Sequence, residues 1–64
     1  MKVVVTNKQD PTNKAEYKAI NISVQKYINP DLGYDGSPMY VLELAGDPGT
    51  FASFKCSEWT IDVS

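Results

Sequence analysis

The chain has no histidine, no arginine, one cysteine and no apolar run longer than four residues. Each shortage removes a class of chemistry. Without histidine there is no Ser-His or Cys-His nucleophile pair and no imidazole-ligated metal. With Cys56 alone there is neither an internal disulfide nor a Cys-x-x-Cys site, and free cysteine of this kind usually behaves as a small buried apolar side chain. The missing arginine takes away the guanidinium fork that reads bases and phosphates in bidentate fashion, leaving six lysines as point charges. The three-valine run at Val3–Val5 is too short for a secretory signal or a membrane span, so a soluble, cytoplasmic protein with no membrane association is expected.

What remains is ordinary globular material. A 64-residue chain, 42% hydrophobic and 22% charged, reads as one small domain over residues 1–64 and not as a disordered segment. Its single core supports a stability on the order of 3–5 kcal/mol. The net charge of −2 conceals an uneven distribution. Residues 1–28 carry five lysines against Asp10 and Glu16, a balance of +3, whereas residues 29–64 carry Lys55 against six carboxylates, a balance of −5.

Alternation of apolar and polar residues predicts strands at 2–6, 16–28, 39–45, 50–56 and 59–63. Tyr40, Leu42 and Leu44 share one face of the third, and Ala52, Phe54 and Cys56 share one face of the fourth. Trp59, Ile61 and Val63 continue one residue out of phase, so the chain turns a corner at Ser57-Glu58. Gly46-Asp47-Pro48-Gly49 is turn chemistry, and Asn7–Asn13 is a polar, proline-containing loop. The ten residues Asn29–Pro38 read as a long loop. The second strand carries the ambiguity that decides the fold class. Ile20-Asn21-Ile22-Ser23-Val24-Gln25 alternates as a strand, with Ile20, Ile22 and Val24 inward and Tyr17 and Tyr27 opposite. Asn13 and Glu16 nonetheless have capping-box spacing, and Tyr17, Ile20, Val24, Tyr27 and Ile28 recur at helical intervals. The expectation is an all-β, five-stranded antiparallel barrel or bent meander. The alternative is α+β, with a helix at 14–28 packed on a three- or four-stranded antiparallel sheet. The expected core is Val3, Val5, Ile20, Ile22, Val24, Leu42, Leu44, Phe54, Cys56, Trp59 and Ile61.

Residues 39–63 form the pattern Tyr-x-Leu-x-Leu, turn, Phe-x-x-Phe-x-Cys, Ser-Glu-Trp, Ile-x-Val. This resembles the closing half of an SH3-like barrel, in which a hairpin passes through one 3₁₀ turn into a short last strand. The resemblance implies a binding module for peptides, nucleic acids or other domains. The Ala-Leu-Tyr-Asp-Tyr segment and tandem tryptophans of proline-binding SH3 domains are missing, so recognition of proline-rich ligands does not carry over.

Catalytic signals are thin, and no catalytic residue, cofactor or metal is expected. Asp31-x-x-x-Asp35-Gly36 suggests a calcium loop, but Gly33 stands at the third ligand position and Leu42 where a bidentate glutamate is needed. No glycine pattern matches a phosphate-binding loop. The expected function is that of a small non-enzymatic interaction or regulatory module whose partner is another protein or a second copy. The candidate binding residues are Tyr27, Asp31, Tyr34 and Asp35, two rings with an acidic rim. The alternative is weak nucleic-acid binding by the N-terminal lysines, with Tyr17 and Tyr27 as stacking platforms.

Overall fold

The computed structural model describes residues 1–46 and 49–64. Asp47 and Pro48, half of the expected Gly46–Gly49 turn, lie outside the described residues. Five strands are present: β1 (Lys2–Asn7), β2 (Lys14–Asn29), β3 (Tyr34–Leu44), β4 (Phe51–Lys55) and β5 (Trp59–Val63). They form one antiparallel sheet in the order β4-β3-β2-β1-β5, and it is not closed. Residues 14–28, for which a helix was the alternative, are strand throughout. The only helical turn among the described residues is the 3₁₀ segment Pro30–Leu32.

The first loop forms as its residues dictate. Asn7 Oδ1 accepts the backbone N–H groups of Gln9 and Asp10 at 3.0 and 3.1 Å. Asp10 Oδ1 accepts the hydroxyl of Thr12 at 2.6 Å. These short polar side chains substitute for the ladder partners that the backbone loses on leaving β1.

The bend in β2 shapes the molecule. Sixteen extended residues would span about 53 Å at a rise of about 3.3 Å each, whereas the longest extent of the molecule is 31 Å. The strand bends where it changes partners. Its first part pairs with β1, from Lys14↔Thr6 to Lys18↔Lys2. Its second part pairs with β3, from Ala19↔Leu44 onward, with a register shift between Ala19 and Asn21. Ile20 is the extra residue of a bulge, which reverses the face of everything after it. Ala19 is therefore fully buried, while Ile20 is 58% exposed. Tyr17 falls on the same side as Ile22 instead of opposite it, packed against the core. Uninterrupted alternation had placed Ile20 inside and Tyr17 outside, and the bulge corrects both. Val24, also expected inside, is 58% exposed because the core ends before it.

The core consists of Val3, Val5, Ala19 and Leu42, flanked by Tyr17, Ile22, Leu44, Ala52, Phe54, Trp59 and Ile61. Phe54 lies 5.7 Å from Tyr17 and 5.2 Å from Trp59, centroid to centroid, the latter edge-on. One ring thus links β4 to β2 and β5. The sheet has folded over so that its two edge strands face each other through side chains. Cys56, expected in the core, is half-buried at the turn into β5. Met39 and Val41, which are not among the expected core residues, are buried on the opposite face of β3.

Candidate functional site

Met39 and Val41 are buried on the outer face of β3, the strand that leads out of the β2–β3 hairpin end. The expected loop 29–38 is instead a tight hairpin tip followed by strand. Asn29 pairs with Tyr34 across the single 3₁₀ turn, and Gly33 (φ 79°) closes that turn with its N–H on the Pro30 carbonyl at 3.2 Å. A second register shift separates Lys26↔Pro38 from Ile28↔Asp35, leaving Gly36 and Ser37 as the irregularity in β3. Gly36 takes φ 86°, and a Cβ there would come within 3.2 Å of Ile28 Cγ1. Pro38 is tolerated inside a strand because its missing donor faces the end of β4. Its carbonyl accepts the N–H of Cys56 there at 3.0 Å.

This second bulge folds the hairpin back. Phe51 pairs with Glu43, nine residues along β3 from Tyr34, about 30 Å on a straight strand. Yet Tyr34 and Phe51 line the same open groove of roughly 440 Å³, together with Tyr27, Ile28, Asn29, Leu32 and Ser53. The tip therefore curls over the outer face of β3 towards β4. The rings of Tyr27 and Tyr34 meet at 5.9 Å and 49°, within the range of favourable aromatic pairs. Leu32, Phe51 and Ile28 are 67%, 57% and 81% exposed, forming a contiguous apolar surface.

Of the four candidate residues, the fold brings Tyr27 and Tyr34 together and keeps both aspartates out of the groove lining. Asp31 is exposed on the hairpin tip. Asp35 turns back on its own chain, accepting the Ser37 hydroxyl at 2.5 Å and the Ser37 N–H at 3.0 Å. The Ser37 hydroxyl, the Ser37 N–H and the nearby Lys55 charge hold the Asp35 carboxyl below its ordinary value. Its job is to shape the bulge. The sequence reading missed Leu32 and Ile28, whose apolar character inside a turn-rich segment was the available sign. Phe51, out of phase with Phe54, was the other.

Two further regions are less suited to binding. A polar recess of about 220 Å³ lies between Asn7, Gln9, Ser57, Glu58 and Trp59, but its polar groups serve the turns. Asn7 caps the first loop, and the Glu58 carbonyl accepts the Lys8 N–H at 2.9 Å. On the outer side of β1 and β2, Lys2 and Lys18 sit opposite each other, with Glu16 3.7 Å from Lys2. Since Tyr17 turns inward, this lysine face has no stacking ring beside it among the described residues.

Among the described residues, no group of histidine, cysteine, aspartate or glutamate side chains could hold a metal, and no helix is long and apolar enough to cross a membrane. Comparison with family models, curated proteins and solved structures finds no match.

Proposed function

We propose that this chain is a small non-enzymatic interaction module that docks a protein partner in the groove between the folded-back hairpin and β4. The observation that carries this reading is the groove in which exposed Tyr27, Ile28, Leu32 and Phe51 surround half-buried Tyr34, on a domain with so few buried residues. A chain this short of core leaves large apolar side chains in water at a cost of about 25 cal/mol per Å². Amphipathic rings and aliphatic side chains of this kind are typical of contact surfaces. Asp31 at the tip and the acidic balance of residues 29–64 favour a partner that surrounds its apolar contact with basic groups.

Three features support reading the fold as an SH3-like barrel. They are the strand order, the long bent β2 shared between two half-sheets, and the one-turn link from β4 into β5. Barrels of that kind are mostly binding modules, which accords with the proposal. A lone half-buried thiol with no disulfide partner fits a reducing cytoplasm.

Affinity capture with the wild-type chain and with a Leu32→Ser variant tests the docking surface. Leu32 is exposed, so the variant keeps its thermal midpoint and circular dichroism. At least one protein retained by the wild type should be lost from the variant. Equal retention of every captured protein would refute the groove as the docking surface.

A further inference from the structure

Phe51 and Ser53 of β4 border the groove with their side chains, and the free edge of the same strand presents their backbone groups. Backbone hydrogen bonds fix which groups it presents. Leu44 N–H donates to the Thr50 carbonyl at 2.9 Å, and Cys56 N–H to the Pro38 carbonyl at 3.0 Å. With Tyr40↔Phe54 and Leu42↔Ala52 in the same register, the even-numbered residues of β4 face β3. The backbone groups of Phe51, Ser53 and Lys55 therefore point away from the sheet. The Lys55 carbonyl already accepts the Glu58 N–H at 3.0 Å. That leaves the N–H groups of all three residues and the carbonyls of Phe51 and Ser53.

We infer that β4 pairs antiparallel with the β4 of a second copy, about a twofold axis at Ser53, making one continuous sheet of the two five-stranded sheets. The inference rests on the interaction-module reading and names one partner for it, through the backbone edge of β4, whose Phe51 and Ser53 side chains also border the groove. In this register Ser53 meets Ser53, Phe51 meets Lys55 and Ala52 meets Phe54 of the second copy. The Ser53 groups exchange N–H and carbonyl, and each Lys55 N–H reaches the opposing Phe51 carbonyl. The Phe51 N–H is left facing the Lys55 carbonyl that the Glu58 N–H already occupies, so four hydrogen bonds join the two strands. On the groove side, each Lys55 stem lies across the opposing Phe51 ring, covering a side chain that is 57% exposed in the single chain. On the core side, small Ala52 makes room for Phe54.

Charge separates this edge from the other one. Lys55 is the only charged residue of β4. In the paired strands, the two lysines stand four residues apart, about 13 Å, beyond a physiological screening length of about 8 Å. β5 also has a free edge. The Lys2–Ser64 hydrogen bonds set its outward residues as Trp59, Ile61 and Val63. A twofold at Ile61 would bring Asp62 diagonal to its own copy at about 7–8 Å, inside that screening length. β4 also lacks the proline or central charge by which natural edges discourage pairing.

Sedimentation equilibrium of the full chain, from about 10 μM to about 1 mM, tests the inference. The wild-type mass should rise towards two copies. Ser53→Pro should stay at one copy with wild-type circular dichroism, because the N–H it removes points away from β3. Should that variant misfold, Ser53→Cys in a Cys56→Ala background replaces it. Mild oxidation should then link two copies through position 53, while Thr60→Cys in the same background should not link. A wild-type chain that stays at one copy at about 1 mM, a folded Ser53→Pro chain that associates unchanged, or no link through position 53 overturns the inference. Leu32→Ser, which alters the groove and not the edge, should associate like the wild type. Failure of the edge and failure of the groove are thereby read separately.

Discussion

Asp35 shows how a residue's environment, rather than its type, decides its role. Two aspartates beside a tyrosine suggested an acidic rim. In the fold, Asp35 accepts both the hydroxyl and the N–H of Ser37 and pins the irregular turn into β3. Those bonds form over two residues and stabilise the carboxylate, so its pKa in the folded chain lies below the ordinary value of 3.8. The sign of the pH effect follows. A lowered folded value adds stability above the unfolded value, and that contribution disappears as pH falls through the folded one. Asp35→Asn keeps an acceptor oxygen and removes the charge. Urea midpoints should show the variant slightly less stable than wild type at neutral pH, with the gap closing below about pH 4. A gap that stays constant into acid would mean that the charge contributes nothing. Individual residues were only partly legible in the sequence. Trp59, Phe54, Val3, Val5 and Leu42 stand where alternation put them. Ile20 and Tyr17 do not, because a bulge inserts one residue with no marker in residue type.

At the scale of elements, β2 and its hairpin with β3 do most to set the architecture. All five strands were visible as alternating segments, and 14–28 is strand although capping-box spacing competed for it. β-branched residues and a partner on each side outweigh a local cap and a helical spacing that would leave Ile22 in solvent. The hairpin end was not legible. Proline and glycine between Asn29 and Pro38 suggested irregular loop, whereas the chain stays extended on both sides of one short turn. What permits this is Gly36. Its backbone sits at φ 86°, and its missing side chain leaves room for Ile28. Gly36→Ala should therefore cost about 1–2 kcal/mol from backbone handedness alone, plus the displacement of Ile28. Gly46, at φ 84° with open space around it, should lose only the first part on the same replacement. Thermal midpoints compare them directly, at about 4–8 °C per kcal/mol for a domain of this size. Equal losses would show that the Ile28 contact is not what holds the hairpin end in place.

For the whole molecule, the two bulges have complementary effects. The one at Ile20 folds the sheet inward around Leu42 and Val3, and the one at Gly36–Ser37 folds the hairpin outward, so that its tip shares a groove with Phe51 and Ser53. The second fold leaves Leu32, Tyr27, Tyr34 and Phe51 as an open apolar surface on the side of the free β4 edge, away from the lysines of β1 and early β2. The proposed contacts are all made on this side. Backbone amide chemical shifts of the isotope-labelled chain test this placement most directly. They are followed as protein concentration rises to about 1 mM and, separately, as a single-stranded oligonucleotide is added at about 150 mM salt. The predicted result is that shifts with concentration concentrate in 51–55, extend to 27–34, and are absent with the oligonucleotide. Saturable shifts at Lys2, Lys14 and Lys18 on adding oligonucleotide, with residues 27–34 and 51–55 unmoved in both series, would place the binding surface on the lysine face instead.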